Sequence, residues 1–495
     1  MTRWGIAAAS LAFSLLTYFQ FPGHTWLHQD SQIYAPILEN QYDHAILRHD
    51  ILVQQSHVEF TIYDDVALLL RRIPLLELSY QQILAAQQIL ARAIGIWGLF
   101  LIAQAMGLTT AAAATVAMIV SLGASIAGPA VLTTEYEPTP RAVALPLVYA
   151  AIGLAAHRRF RPAVILAALA TLYQFPAAVP FWVVFAAMLL RRAMVAPLAI
   201  LTQVPPPLER LQRMRTAYVW ISTWPLATIV QHVFMGGIAG AAYYRVRGKM
   251  RPELRAMLLG LVVIGLVSMP LSWLLLEHWK LAITPQLQPL RWLLWVTLAM
   301  QLLAAAAAVH AGRWWESAVW FAIAYLPAVQ PLSWRGFAVV AALGAATALS
   351  RRLAPATALA AFVVIPVLGG VVNYPRLHNP ELAELSRWAR LSTDRDAVFL
   401  FADAGRALEP GIFRSEALRA VYVDWKGGGQ VNYLPEFAEQ WWSRWQQTAG
   451  KPFQSDDVPK YSALGITYVV LQPTHRLPRA PDFENRTWAV YRVAD

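Results

Sequence analysis

Residues 162–190 read PAVILAALATLYQFPAAVPFWVVFAAMLL. Nothing in the run is charged, and it is longer than the roughly 20 residues a helix needs to cross a bilayer. Pro176 and Pro180 stand in its middle, and proline ends or kinks a helix. The run therefore predicts two short helices that turn near YQFPAAVP. Interrupted helices of this kind survive at membrane depth only where they face protein or a watery cavity.

Working outward, further apolar segments fall at 4–21, 83–107, 110–132, 142–156, 194–204, 226–244, 256–276, 290–310, 314–330, 336–350 and 354–373. Composition agrees with them. The 495 residues are 57% hydrophobic and 14% charged, whereas soluble domains carry about 25% charged residues. Mean hydropathy is +0.43. The expected fold is a mainly α polytopic membrane protein with about 11–13 segments of near-spanning length.

The net charge of +11 would suggest nucleic acid in a soluble protein. Here it has a simpler source, because cytoplasmic loops collect Lys and Arg. No nucleic-acid partner is expected. There is no cysteine, which excludes disulfides and thiolate chemistry. Met1–Phe21 has a signal-like pattern, with Arg3 before an apolar core, but FQFPGHTW offers no small-residue cleavage site. It is read as an uncleaved first helix with a cytoplasmic N-terminus.

Alternating from there puts HRRFR (157–161), Arg191–Arg192, RVRGKMRPELR (245–255), Arg313 and Arg351–Arg352 in the cytoplasm. These are the basic loops, as the positive-inside rule requires. The exported side receives 22–82, 133–141, 205–225, 277–289, 331–335 and everything after Asn373. Arg71–Arg72 and ERLQRMR (209–215) lie against the rule without reversing it. The domains expected are a transmembrane domain, 1–374, with exported loops 22–82 and 133–141, and an exported α/β domain, 375–495. In that tail AVFLFA (397–402), AVYVDW (420–425), TYVVLQ (467–472) and WAVYRV (488–493) read as strands. PELAELSRWARL and PEFAEQWWSRWQQ read as amphipathic helices.

Polar chemistry gathers on the exported side. Loop 22–82 holds His24, His28, Asp30, Asp43, His44, His49, Asp50, His57, Asp64 and Asp65. The short loop TTEYEPTPR holds Glu135, Glu137 and Arg141 at the membrane surface, where ionisable groups are costly and often functional. His44, His49 and His57 lack the i, i+4 spacing of a helical metal pair. KGGGQ (426–430) lacks the G-x-x-x-x-G-K-[ST] phosphate-loop pattern. Asp30 directly precedes SQIY and is placed to cap a helix there. Glu135 and Arg141 are also spaced to form a structural ion pair, and the Trp pairs at 314–315 and 441–442 read as interfacial anchors or core.

A first helix, a long exported loop with an early acidic residue, about a dozen spans and an exported α/β tail together resemble the GT-C superfamily. Its members are integral-membrane glycosyltransferases that use polyprenyl-phosphate sugars. HQDSQIYAPIL (28–38), GPAVLTTEYEPTPRA (128–142), LYQFPAAVPFW (172–182) and RAVYVDWKGGGQVNY (419–433) look like motifs of a bacterial family of GT-C-like membrane proteins. The likeness covers most of the chain. Two departures stand out: no second acidic residue adjoins Asp30, and YQFP, with Gln174, stands where His-Pro is expected.

The resemblance implies transfer of a sugar from a polyprenyl-phosphate donor to a glycan, lipid or protein acceptor, at the exported face of a bacterial inner membrane. Such transfer needs a base for the acceptor's proton and cations for the departing phosphate. Asp30 is the candidate base. Glu135 and Glu137 are the other candidate catalytic carboxylates, suited to a sugar hydroxyl, a metal or Arg141. Arg141 and Arg291 suit phosphate through a bidentate fork. His28, Gln174, Lys426 and Gln430 complete the candidate substrate-binding set. A divalent metal is compatible with this chemistry but not required, and no metal ligand is assigned. Asp30, Glu135, Glu137 and Arg141 are expected to face one exported cavity, covered by the glycine loop 427–429. Two rival readings are a lipid-linked substrate transporter or flippase, which broken helices also suit, and a non-catalytic GT-C-like assembly subunit.

Overall fold

The structure is a computed structural model that describes residues 3–56, 61–73, 77–190, 203–330, 333–350, 352–369 and 372–493. The expected segment 194–204 (save its last two residues), Arg191–Arg192, His57 and Arg351 lie outside the described residues. The chain divides into two compact units. One holds Met1–His24, Ala85–Val204 and Ala217–Asn373, the other Thr25–Leu84, Pro205–Thr216 and Tyr374–Asp495. The tail therefore does not stand alone, because most of the long loop 22–82 and a short stretch near residue 210 cluster with it.

The first unit is helical. Among the described residues, four helices are long and apolar enough to cross a membrane: Tyr80–Ala105, Leu226–Val246, Pro252–His278 and Thr284–His310, the last two including short 3-10 and π-type turns. Shorter apolar helices include Trp4–Phe19, Thr110–Ser121, Pro140–Ala156, Trp334–Leu349 and Ala354–Leu368. Every residue of Pro140–Ala156 is buried. It approaches Tyr80–Ala105 closely, where a Cβ on Gly98 would run into the backbone of Tyr149 and Ala150. Small residues that let two backbones approach are the usual means of packing helices in lipid.

Other helices keep an apolar face outward. Leu226, Val230, Val233 and Phe234 are exposed, as are Leu259, Val263 and Val267. Soluble proteins rarely leave apolar faces so wide uncovered. The exposed Trp314 and Trp334 each open a helix, the position where aromatic side chains meet a membrane interface.

The run 162–190 forms two helices, Phe160–Tyr173 and Phe175–Leu190. Only Gln174 separates them, with φ −158 and ψ 96. Pro176 lies in the first turn, where its missing N–H costs nothing. Pro180 lies four residues on and has no N–H to give the Pro176 carbonyl. Trp292 Nε1 supplies that bond at 2.9 Å. The segment 110–132 differs from a single span. Its helix ends at Ser121, and an antiparallel pair follows, Ser125–Ile126 with Val131–Leu132. Gly123 and Gly128, both at positive φ, turn the chain there.

The second unit carries a five-stranded mixed sheet. Its spatial order is Ala420–Val421, Val398–Phe401, Tyr468–Leu471, Ala489–Arg492, Phe483–Glu484. The first three run parallel and the last two pairings are antiparallel. Helices Pro380–Ser392 and Glu409–Ala417 pack through Leu382, Leu385 and Phe413 onto Phe399, Phe401 and Val470. The expected strand 420–425 is only Ala420–Val421, because the chain turns away to satisfy Asp424, as described below. In this unit loop 22–82 carries the helices Ser31–Tyr42, Ile51–Gln54 and Tyr63–Arg71.

Candidate functional site

In the sheet-bearing unit, Asp30 begins helix Ser31–Tyr42 through its backbone. Its carbonyl accepts from Ile33 N at 2.9 Å and Tyr34 N at 3.3 Å. The side chain makes no cap bond, and Asp30 already has helical φ −70 and ψ −24. The carboxylate instead takes Lys426 Nζ at 2.7 Å. Lys426 also donates to Gln29 Oε1 at 3.4 Å. The Lys426 side chain is 15% exposed and that of Asp30 38%, so the carboxylate is the more accessible partner of the pair. His28 adjoins it. Burial first, and then the Lys426 charge, hold this imidazole below its ordinary range, so it is neutral at neutral pH.

What puts Lys426 there is a buried ionic lattice. Arg414, on helix Glu409–Ala417, donates from Nε to Asp50 Oδ2 at 2.6 Å and from Nη2 to Asp424 Oδ1. Asp50 also accepts from Val421 N and Leu52 N, each at 2.9 Å. Asp424 Oδ2 accepts from Gly427 N at 2.8 Å. Burial alone would lower the Arg414 guanidinium, but Asp424 and Asp50 outweigh it and drive the group upward. The lattice turns the chain immediately before Lys426. Trp441 Nε1 holds the Asp424 carbonyl at 2.8 Å, and Arg215 holds the Trp425 carbonyl at 2.5 Å.

The three glycines follow as a 3-10 turn, Gly427–Asn432. None has positive φ, so conformational freedom is not their reason. A Cβ at Gly428 would enter the Trp441 ring, one at Gly427 would press on the Asp424 carboxylate, and one at Gly429 would sit 3.3 Å from Ile33 Cδ1. They are the sizes that let this loop lie against residues 29–33. Gln430 is fully buried and reaches the Leu52 carbonyl at 3.4 Å.

The helical unit holds the other expected residues. Arg141, in the first turn of Pro140–Ala156, donates from Nε to Glu135 Oε1 at 2.5 Å, both side chains buried. Glu137 is buried as well. The Glu135 carbonyl accepts from Gln88 Nε2 at 3.0 Å and Arg92 Nη2 at 2.5 Å. Arg92 also holds the Thr17 carbonyl at 3.0 Å and the Gly23 carbonyl at 2.9 Å. A small cavity of about 30 Å³ lies among Arg92, Thr133, Glu135, Arg141 and Tyr149. Sequence reasoning missed Arg92, although it is the one charge in 83–107, and an ionisable residue inside an apolar run is itself a signal. Gln174 sits at the helix break with its side-chain oxygen buried and lacking a hydrogen-bond partner among the described residues. Arg291 lies over the Tyr218 ring, 5.4 Å from its centroid. No group of three or more His, Asp or Glu is arranged to hold a metal among the described residues.

Residues 380–448 match a family described as a domain of unknown function (DUF6798). The matched stretch runs from helix Pro380–Ser392 through the sheet's first two strands to the end of helix Pro435–Gln447. It contains Arg414, Asp424, Lys426 and the glycine turn. No curated protein matches the chain.

Proposed function

We propose that this chain is a GT-C-like membrane glycosyltransferase of a bacterial inner membrane. It moves a sugar, with inversion, from a polyprenyl-phosphate donor to an acceptor on the exported face. In this reading the N-terminus is cytoplasmic and residues 375–495 are exported. The observation that carries it is the Asp30 carboxylate, which is free of capping duty, open to solvent and paired with a cation. Direct displacement needs one base and no covalent intermediate. Asp30 takes the proton of the acceptor hydroxyl as its oxygen bonds to the anomeric carbon. The bond from that carbon to the phosphate oxygen breaks, and its electron pair leaves on the phosphate. Lys426 offsets the charge gained there. When the donor's phosphate draws Lys426 to itself, Asp30 is released to act as base. His28, neutral, is suited to a sugar hydroxyl.

Glu135 and Arg141 form a buried ion pair in the helical unit. The helix break at Gln174, with its partnerless side-chain oxygen, favours a second reading: a lipid-linked substrate carrier. The two separate on one assay. Membranes bearing the full chain, given polyprenyl-phosphate sugars, form a glycosylated product if the first holds. Movement of intact donor across the bilayer, with no product, supports the second.

A further inference from the structure

The three parallel strands have spatial order 420–421, 398–401, 468–471. The chain thus leaves strand Val398–Phe401 toward one neighbour and comes back on its other side as Tyr468–Leu471. The connections leaving Phe401 and Leu471 diverge. In open α/β sheets, ligands take the crevice outside the carboxyl ends of two such strands.

Two side chains meet at this point. Asp403 lies two residues past Phe401, and His475 four past Leu471. His475 Nδ1 lies 2.8 Å from Asp403 Oδ2, which also accepts from Gln472 N at 2.9 Å. The Asp403 side chain is 2% exposed and that of His475 45%. Asp403 Oδ1 is buried without a hydrogen-bond partner among the described residues. A buried carboxylate only accepts, so the imidazole carries its proton on Nδ1. In the neutral ring Nε2 is then an acceptor, turned away from Asp403. The Phe453 ring stands beside it, with centroids 5.4 Å apart.

We propose that this crevice is a saccharide-binding site. A ligand hydroxyl donates to His475 Nε2, Asp403 fixes the tautomer, and the apolar C–H face of the sugar lies on Phe453. An oriented Nε2 acceptor beside an aromatic ring favours a hydroxyl donor over an anion, whose lone pairs it opposes. The site shares no residue with the Asp30–Lys426 pair, so either can fail without the other.

The test uses the full chain in detergent with histidine labelled at Cε1. It is titrated separately with glucose, galactose, N-acetylglucosamine and inorganic phosphate. The His475 resonance, identified by its loss in His475→Gln, should shift saturably with at least one neutral sugar. Phe453→Ala should weaken that binding by about tenfold, the effect of losing one apolar contact of roughly 1.4 kcal/mol. A shift with phosphate alone, no shift with any sugar, or sugar binding unchanged in Phe453→Ala overturns the proposal.

Discussion

Lys426 places its ammonium 2.7 Å from the Asp30 carboxylate, joining the start of the chain's first long loop to its glycine turn. The contact rests on the buried lattice around Arg414 and on an acidic side chain that leaves its helix uncapped.

The Lys426 charge helps to hold His28 below the ordinary imidazole range. Lys426→Met should therefore move the His28 titration upward, toward the usual value near 6.5. The sign for stability follows. A histidine depressed in the fold binds fewer protons than in the unfolded chain. Its contribution is present above the unfolded pKa and lost as pH falls through the folded one. A histidine-labelled titration of both proteins reads the shift directly, and an unmoved His28 would show that Lys426 does not face it.

Arg414→Leu should be severe. It leaves Asp50 and Asp424 buried with their shared cation removed, a change that costs about 3–5 kcal/mol. The rings of Trp425, Trp441 and Trp445 lie with centroids 5.2–5.9 Å apart beside Asp424, and denaturant unfolding followed at their emission checks this. A loss below about 1 kcal/mol, the range of surface pairs, would contradict the buried lattice.

Gly428→Val should disturb the same cluster by size. Its Cβ has no room beside Trp441, and overpacking of this kind costs about 1–3 kcal/mol. Tryptophan emission should change with it. Gly312→Val, whose Cβ would meet nothing within 4 Å, is the control that should leave emission as it was.

Arg92→Met removes the donors to three carbonyls, those of Thr17, Gly23 and Glu135. Buried acceptors left unmade cost about 1–3 kcal/mol each, so thermal stability in detergent should fall clearly. Stability equal to the parent would mean that water replaces the guanidinium.

Pro176 and Pro180 marked the broken helix, because a missing N–H leaves a sequence signal, and the break fell on Gln174. Strands Val398–Phe401, Tyr468–Leu471 and Ala489–Arg492 sit inside the stretches their apolar runs suggested. Strand 420–425 fell short, since local alternation carries no record of Asp424 binding Arg414. The glycines at 427–429 were legible as a special loop but not as a packing device, because Trp441 and Ile33 meet them only in three dimensions. The clustering of Thr25–Leu84 with the tail rests on pairs such as Asp50 with Arg414, which are hundreds of residues apart in the chain and have no local signature.

The central claim is that Asp30 is a catalytic base, and Asp30→Asn tests it most directly. Asn starts helices as well as Asp does, and the Asp30 side chain makes no cap bond to lose. Folding should therefore be nearly intact, as judged by unfolding of the detergent-solubilised protein. The measurement is product formation by membranes bearing the parent or variant chain, over a panel of polyprenyl-phosphate-linked sugars. Loss of a general base predicts a fall of at least about 100-fold. Transfer by a folded Asp30→Asn protein at the parent rate would contradict the account and leave Asp30 as the anchor of Lys426 alone.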